Sequence, residues 1–103
     1  MKRLLMSQNY ELSTNEILTE ALHRFGIKNQ TDLAIEEMSE LITAISHYHR
    51  GRIESNEVIS EIADVYIMIQ QLMLWFGKEA VEAEVYRKLA RLSNYLDGNE
   101  YTR

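Results

Sequence analysis

The sequence predicts an all-α domain of four helices, and three observations carry that expectation. Proline is absent, and the four glycines, Gly26, Gly51, Gly77 and Gly98, divide the chain at intervals of 21 to 26 residues, each where a helix would stop. Apolar residues recur at helical spacing between them. No segment shows the period-2 alternation or β-branched clustering of strands. A chain of 103 residues is expected to form a single domain over residues 1–103, with a core of modest size that oligomerisation would reinforce.

Each element has its own start signal. Ser13 with Glu16 makes a capping-box pattern that opens a first helix over about residues 14–25. Thr31 or Asp32 caps a second over about 31–50, and Ser55 caps a third over 55–76. Residues 78–96 read as the fourth. In the third helix the run VYIMIQQLMLWF is apolar nearly all round, interrupted only by Gln70 and Gln71. Such a helix must be covered on all sides. Three neighbours in so short a chain hardly achieve that, so the face with Tyr66, Ile67, Met68, Met73, Leu74 and Trp75 is expected to meet another subunit in a homo-oligomer.

With 46% hydrophobic and 26% charged residues the composition is that of an ordinary globular protein, not a disordered one. The apolar triplet after Met1-Lys2-Arg3 is too short for a signal sequence, and no run reads as a membrane span, so a cytoplasmic location without membrane association is expected. Cysteine is absent, which excludes disulfides and thiol chemistry. A pI near 5.2 argues against nucleic acid as a partner, because a phosphate backbone requires a basic face.

The informative chemistry lies in four acids at one repeated spacing. Glu37 and Glu40 sit in AIEEMSELITAI, and Glu61 and Asp64 in VISEIADVYIMI. Acids three apart on a helix share a face. At 100° per residue, Val58, Ile62, Val65, Ile69, Leu72 and Phe76 form one apolar stripe, with Glu61 about 60° and Asp64 about 120° to one side. The stripe of Ala34, Met38, Leu41, Ile45 and Tyr48 places Glu37 about 70° and Glu40 about 130° off in the same sense. Two such helices packed antiparallel, stripe to stripe, bring all four acids to one edge of the hairpin.

Four converging carboxylates repel one another and need protons or cations to coexist. Oxygen-only ligands select hard divalent ions, Mg²⁺ or Mn²⁺ before Zn²⁺. The net charge of -5 points to the same place, since setting the four aside leaves 12 acids against 11 bases. Other constellations fall away. Glu20-x-x-His23 resembles half of a di-iron motif without its second copy. His47 and His49 point to different faces and read as surface residues, and there is no glycine-rich phosphate loop.

Glu36-Glu37-x-x-Glu40, twenty residues, then Glu61-x-x-Asp64 resembles the signature of the MazG-like superfamily of all-α nucleoside triphosphate pyrophosphatases. The likeness is to small single-domain members, spans residues 23–92, and extends to the apolar pattern around the acids and to Lys88-x-x-Arg91-Leu92. It implies a helical fold assembled as homodimers or homotetramers, and a Mg²⁺-dependent hydrolysis of a nucleoside triphosphate between its α and β phosphates. By the same resemblance Glu37, Glu40, Glu61 and Asp64 match the metal ligands and catalytic centre, and Lys88 and Arg91 match groups that bind substrate phosphates. Glu36 matches the first acid of the motif, but its angle turns it to solvent. Gln30, with Asn29 and Gln71, offers amides suited to a base edge. The rival expectations are a catalytically silent helical oligomer, and an enzyme of the same superfamily acting on a non-standard substrate such as phosphoribosyl-ATP.

Overall fold

A computed structural model describes residues 4–6 and 10–98, with side chains from residue 13 to residue 98. Along the chain run β1 (Leu4–Met6), β2 (Tyr10–Leu12), α1 (Thr14–Phe25), α2 (Ile27–His49), α3 (Ser55–Phe76) and α4 (Lys78–Leu96). The four-helix architecture is as the sequence implies. The two strands are not. They pair antiparallel with Leu4 opposite Leu12, Leu5 opposite Glu11 and Met6 opposite Tyr10. Each is three residues long, shorter than the roughly four to eight over which alternation can be read.

The capping box of α1 is present. Ser13 N donates to Glu16 Oε1 at 2.9 Å, and Glu16 N donates to Ser13 Oγ at 3.2 Å. The start of α2 departs from expectation by four residues, at Ile27 instead of 31. Thr31 Oγ1 donates to the carbonyls of Ile27 and Lys28, and Asp32 accepts from Lys28 Nζ, so both residues sit inside the helix and neither caps it. Gly26 does both jobs at this junction: its N–H donates to Leu22 O at 2.9 Å, and its own carbonyl accepts from Gln30 N at 3.1 Å. Its φ of 84° and ψ of 152° lie in a region that is essentially glycine-only.

Beyond His49 the chain turns through a Schellman arrangement, with Arg52 N donating to His47 O at 2.9 Å and Gly51 N to Tyr48 O at 3.0 Å. The φ of 71° at Gly51 is the left-handed value that this motif requires. Ser55 is the first helical residue of α3, not its cap. The capping contact comes from Glu57, whose Oε2 accepts from Glu54 N at 3.3 Å, which is half of a capping box.

The chain divides into two compact units, Met1–Leu72 and Met73–Arg103. In the first, α1 packs on α2 and β2 packs on α1. Its buried apolar residues are Leu18, Ala34, Ala44, Val65 and Met68. Met68 is therefore core, at 4% exposed, and not the subunit-contact residue that the sequence suggests. The second unit holds the last turn of α3 and all of α4. No residue of α4 is buried, and its surface carries an Arg87–Glu84 pair at 2.6 Å.

The inward lines of α2 and α3 differ from the expected stripes in an instructive way. On α2 the line is Gln30, Ala34, Glu37, Leu41 and Ala44, while Ile45 and Tyr48 are exposed. On α3 it is Val58, Glu61, Val65, Met68 and Leu72, while Ile62 is 50% exposed, Ile69 39% and Phe76 67%. Both helices are rotated by roughly 40° toward their acids, about the half-width of an apolar stripe. Glu37 and Glu61 have been drawn inward, and isoleucines have been turned out.

By length and composition α3 is also capable of crossing a membrane, with 22 residues and a mean hydropathy of 1.3 over its most apolar window. The sequence reading, that no run suffices for a span, is corrected to that extent. Glu61 and Asp64 lie in the same helix, and ionised groups at such depth are costly in lipid.

Candidate metal centre

Helical periodicity and the turn at Gly51 bring two acid pairs together from sequence positions more than twenty residues apart. One carboxylate oxygen from each of Glu37, Glu61 and Asp64 lies within 4.8 Å of the others. Glu37 and Glu61 are half-buried, and Asp64 is exposed. Glu40 stands outside this trio, yet it is the nearest in effect among the charged neighbours of both Glu37 and Glu61.

The electrostatics are those of an uncompensated site. Burial first, and then the charges of Glu40, Asp64, Glu61 and Glu36, raise the pKa of Glu37 above its ordinary 4.5. Burial, Glu40 and Asp64 do the same to Glu61. Two oxygens, Glu37 Oε2 and Glu61 Oε2, are buried with no hydrogen-bond partner. A buried acceptor without a donor is costly, and a charged one more so. A hard divalent cation removes both costs, because it satisfies the oxygens and reverses the repulsion that lifts their pKa values. The donor set therefore fits Mg²⁺ or Mn²⁺: all oxygen, converging, and anionic.

The remaining candidates are distributed differently. Gln30 is buried on α2, seven residues before Glu37, and so about 10 Å from it along the helix axis. Gln71 is 4% exposed, and its Oε1 has no partner. Lys88 and Arg91 lie on α4 in the second unit, Lys88 exposed and Arg91 half-buried with Nε unpartnered. Glu36 is exposed, as its angle implies.

One feature escaped the sequence reading. A pocket of about 350 Å³ opens beside the acids, lined by Ser39, Glu40, Thr43, Ala44 and His47 of α2, Ile53 of the turn, and Glu57 and Glu61 of α3. His47 is half-buried in its wall, not a free surface residue. Its signal was available, since Glu40 and His47 are seven apart and share a helix face, as do Glu57 and Glu61 at four. Comparisons of the chain with family models, curated proteins and solved structures find no match.

Proposed function

We propose that the chain is a Mg²⁺-dependent nucleoside triphosphate pyrophosphohydrolase of the MazG-like type, yielding a nucleoside monophosphate and pyrophosphate. The observation that carries the reading is the convergence of Glu37, Glu61 and Asp64, with two buried carboxylate oxygens that have no hydrogen-bond partner and that a bound cation would satisfy. The motif resemblance supplies the reaction.

In this reading Glu37, Glu61 and Asp64, joined by Glu40, hold the cations. Bound there, Mg²⁺ or Mn²⁺ supplies a lowered pKa for attacking water and charge neutralisation for phosphate oxygens. The protein's own contribution is placement. Glu37 and Glu61 are half-buried, so their carboxylates have fewer conformations to lose when substrate arrives than exposed ones would. Asp64, the exposed member of the three, is open to solvent. Lys88 and Arg91 are assigned to phosphate oxygens, and Gln30 to a polar edge of the substrate; all three assignments rest on the resemblance and on residue type.

Homodimeric or homotetrameric assembly in the cytoplasm belongs to the same proposal. Its support is the exposed apolar surface, Ile35, Ile42 and Ile45 on α2 and Ile59, Ile62, Tyr66 and Ile69 on α3. That surface equally favours the silent-oligomer alternative, which needs no chemistry at the acids. The reaction decides between them. Purified protein with Mg²⁺ and a panel of triphosphates should release pyrophosphate and monophosphate, and Asp64→Asn should reduce the rate by about a thousandfold or more with helical content unchanged. Diphosphate and orthophosphate as first products, or full activity in Asp64→Asn, would exclude the mechanism.

A further inference from the structure

The pocket beside the acids has a chemistry of its own. Three of its lining residues are carboxylates, Glu40, Glu57 and Glu61, and among its lining residues only His47 can carry a positive charge. A polyphosphate chain is repelled there wherever no cation screens it. The hydroxyl protons are already committed. Ser39 Oγ donates to Ile35 O at 2.9 Å, and Thr43 Oγ1 donates to Ser39 O at 3.1 Å. Each hydroxyl therefore faces a ligand as an acceptor. Glu57 Oε2 accepts from Glu54 N, which fixes the carboxylate and leaves Oε1 available. Ala44 and Ile53 supply the apolar part of the lining. At about 350 Å³ the pocket falls at the small end of the roughly 300–1,000 Å³ range of small-molecule sites.

With Glu40 and Glu61 given to cations, the rest of the wall, Glu57 with the acceptor hydroxyls of Ser39 and Thr43 and the apolar Ala44 and Ile53, fits an uncharged, partly apolar ring system that presents hydrogen-bond donors. Resting on the proposed reaction, we propose that this pocket seats the nucleoside half of the substrate and that Glu57 is a specificity-determining residue, accepting a hydrogen bond from a donor on that half. Glu40 and Glu61 belong to both compartments, which places the nucleoside directly against the acids. In adenosine and cytidine two sources offer the required donors: the exocyclic amino group of the base, and the hydroxyls of the sugar.

The test uses wild-type protein with Mg²⁺ and nucleoside 5′-monophosphates, so that binding is read without turnover. Amide shifts in ¹H–¹⁵N spectra on adding adenosine or cytidine monophosphate should map to residues 39–47 and 53–61. One arm compares these with uridine monophosphate, which lacks the amino group; the other compares ribose with 2′-deoxy and 2′,3′-dideoxy sugars. The arm in which wild type loses affinity and Glu57→Gln does not identifies the donor. Glutamine keeps the capping acceptor, so the variant should fold. On a cleaved triphosphate Glu57→Gln should raise KM about tenfold with kcat within about twofold, as expected for one lost hydrogen bond to a charged acceptor. Thr43→Val, on an exposed position, provides a second variant with the same expected split. Shifts that map elsewhere, or unchanged affinity and KM in both variants, overturn the proposal. Failure of every triphosphate to release pyrophosphate instead refutes the proposed reaction, and the monophosphate titration still decides the pocket.

Discussion

The two edges of the α2–α3 hairpin are built from the same periodicity and have met opposite fates. On one edge burial, and after it the charges of the neighbouring acids, raise the pKa values of Glu37 and Glu61, and two of their oxygens are buried without partners. On the other, Ile45, Ile62, Tyr66 and Ile69 face solvent. Hydrophobicity alone would have chosen the reverse, since carboxylates are costly to bury and isoleucines favourable. The two edges thus differ in what would stabilise them: opposite charge on the first, apolar contact on the second. In the proposed reading cations meet the first edge and a second copy of the chain the other, and the two can be removed independently.

The largest effect should separate the edges by function. Glu61→Gln is expected to lower triphosphate cleavage by about a thousandfold or more, which is about 4 kcal/mol or more in transition-state free energy. Ile59→Ser on the apolar edge should change the rate far less. Comparable losses in steady-state assays would erase the functional distinction between the edges.

Next in size is packing. Met68→Ala, in the core, should cost about 2–5 kcal/mol of stability in chemical denaturation, because the site is enclosed and collapses incompletely. Tyr66→Glu, on the exposed face of the same helix, should leave denaturation of the monomer nearly unchanged and instead move light scattering toward smaller species. If wild type scatters as a monomer at micromolar concentration, the apolar edge is not an interface between copies.

The acid edge makes a smaller but directional prediction in pH. Glu37 and Glu61 hold protons more tightly folded than unfolded, so above about pH 4.5 the folded state carries the excess protons until the raised folded values are passed. Stability of metal-free protein should therefore fall as pH rises through that window. Mg²⁺ should oppose the fall, adding about 2.7 kcal/mol at a hundredfold excess over its Kd. Glu61→Gln should raise the melting temperature of metal-free protein and remove most of the Mg²⁺ shift. Melting curves indifferent to both cation and substitution would disprove the site.

The smallest effect is expected in the second unit. The hydrogen bond from Arg87 keeps Glu84 below the usual carboxylate range, so whatever stability the pair contributes is present above the unfolded pKa and lost on acidification. The pair is exposed, and Glu84→Gln should shift the melting temperature barely beyond error.

Helix number, three of the four helix starts and the convergence of Glu37, Glu61 and Asp64 were legible because each depends on local spacing: capping box, glycine stop, and acids three apart. The start of α2 was misplaced because Thr31 is a plausible cap in sequence, whereas Gly26 opens the helix with backbone groups alone. The rotation of both helices was invisible because an apolar stripe defines only a preferred direction, and tertiary packing selects within its width. Met68 and Ile62 exchanged places for that reason. The pocket was missed because Ile53 and Glu57 join it only once the Schellman turn at Gly51 has set where the chain re-enters α3.

Gly26 gives the fold a joint without slack. No residue separates α1 from α2 except this one, and its backbone is bonded on both sides. The angle between the two helices is thus encoded in a single φ, ψ pair, where most helical pairs spread it over a loop. Insertions here have nowhere to go: one added residue would turn α1 by about 100° relative to α2 and strip Leu18 from its place in the core. Among relatives of this chain, length should vary at the Gly51 turn and be invariant here.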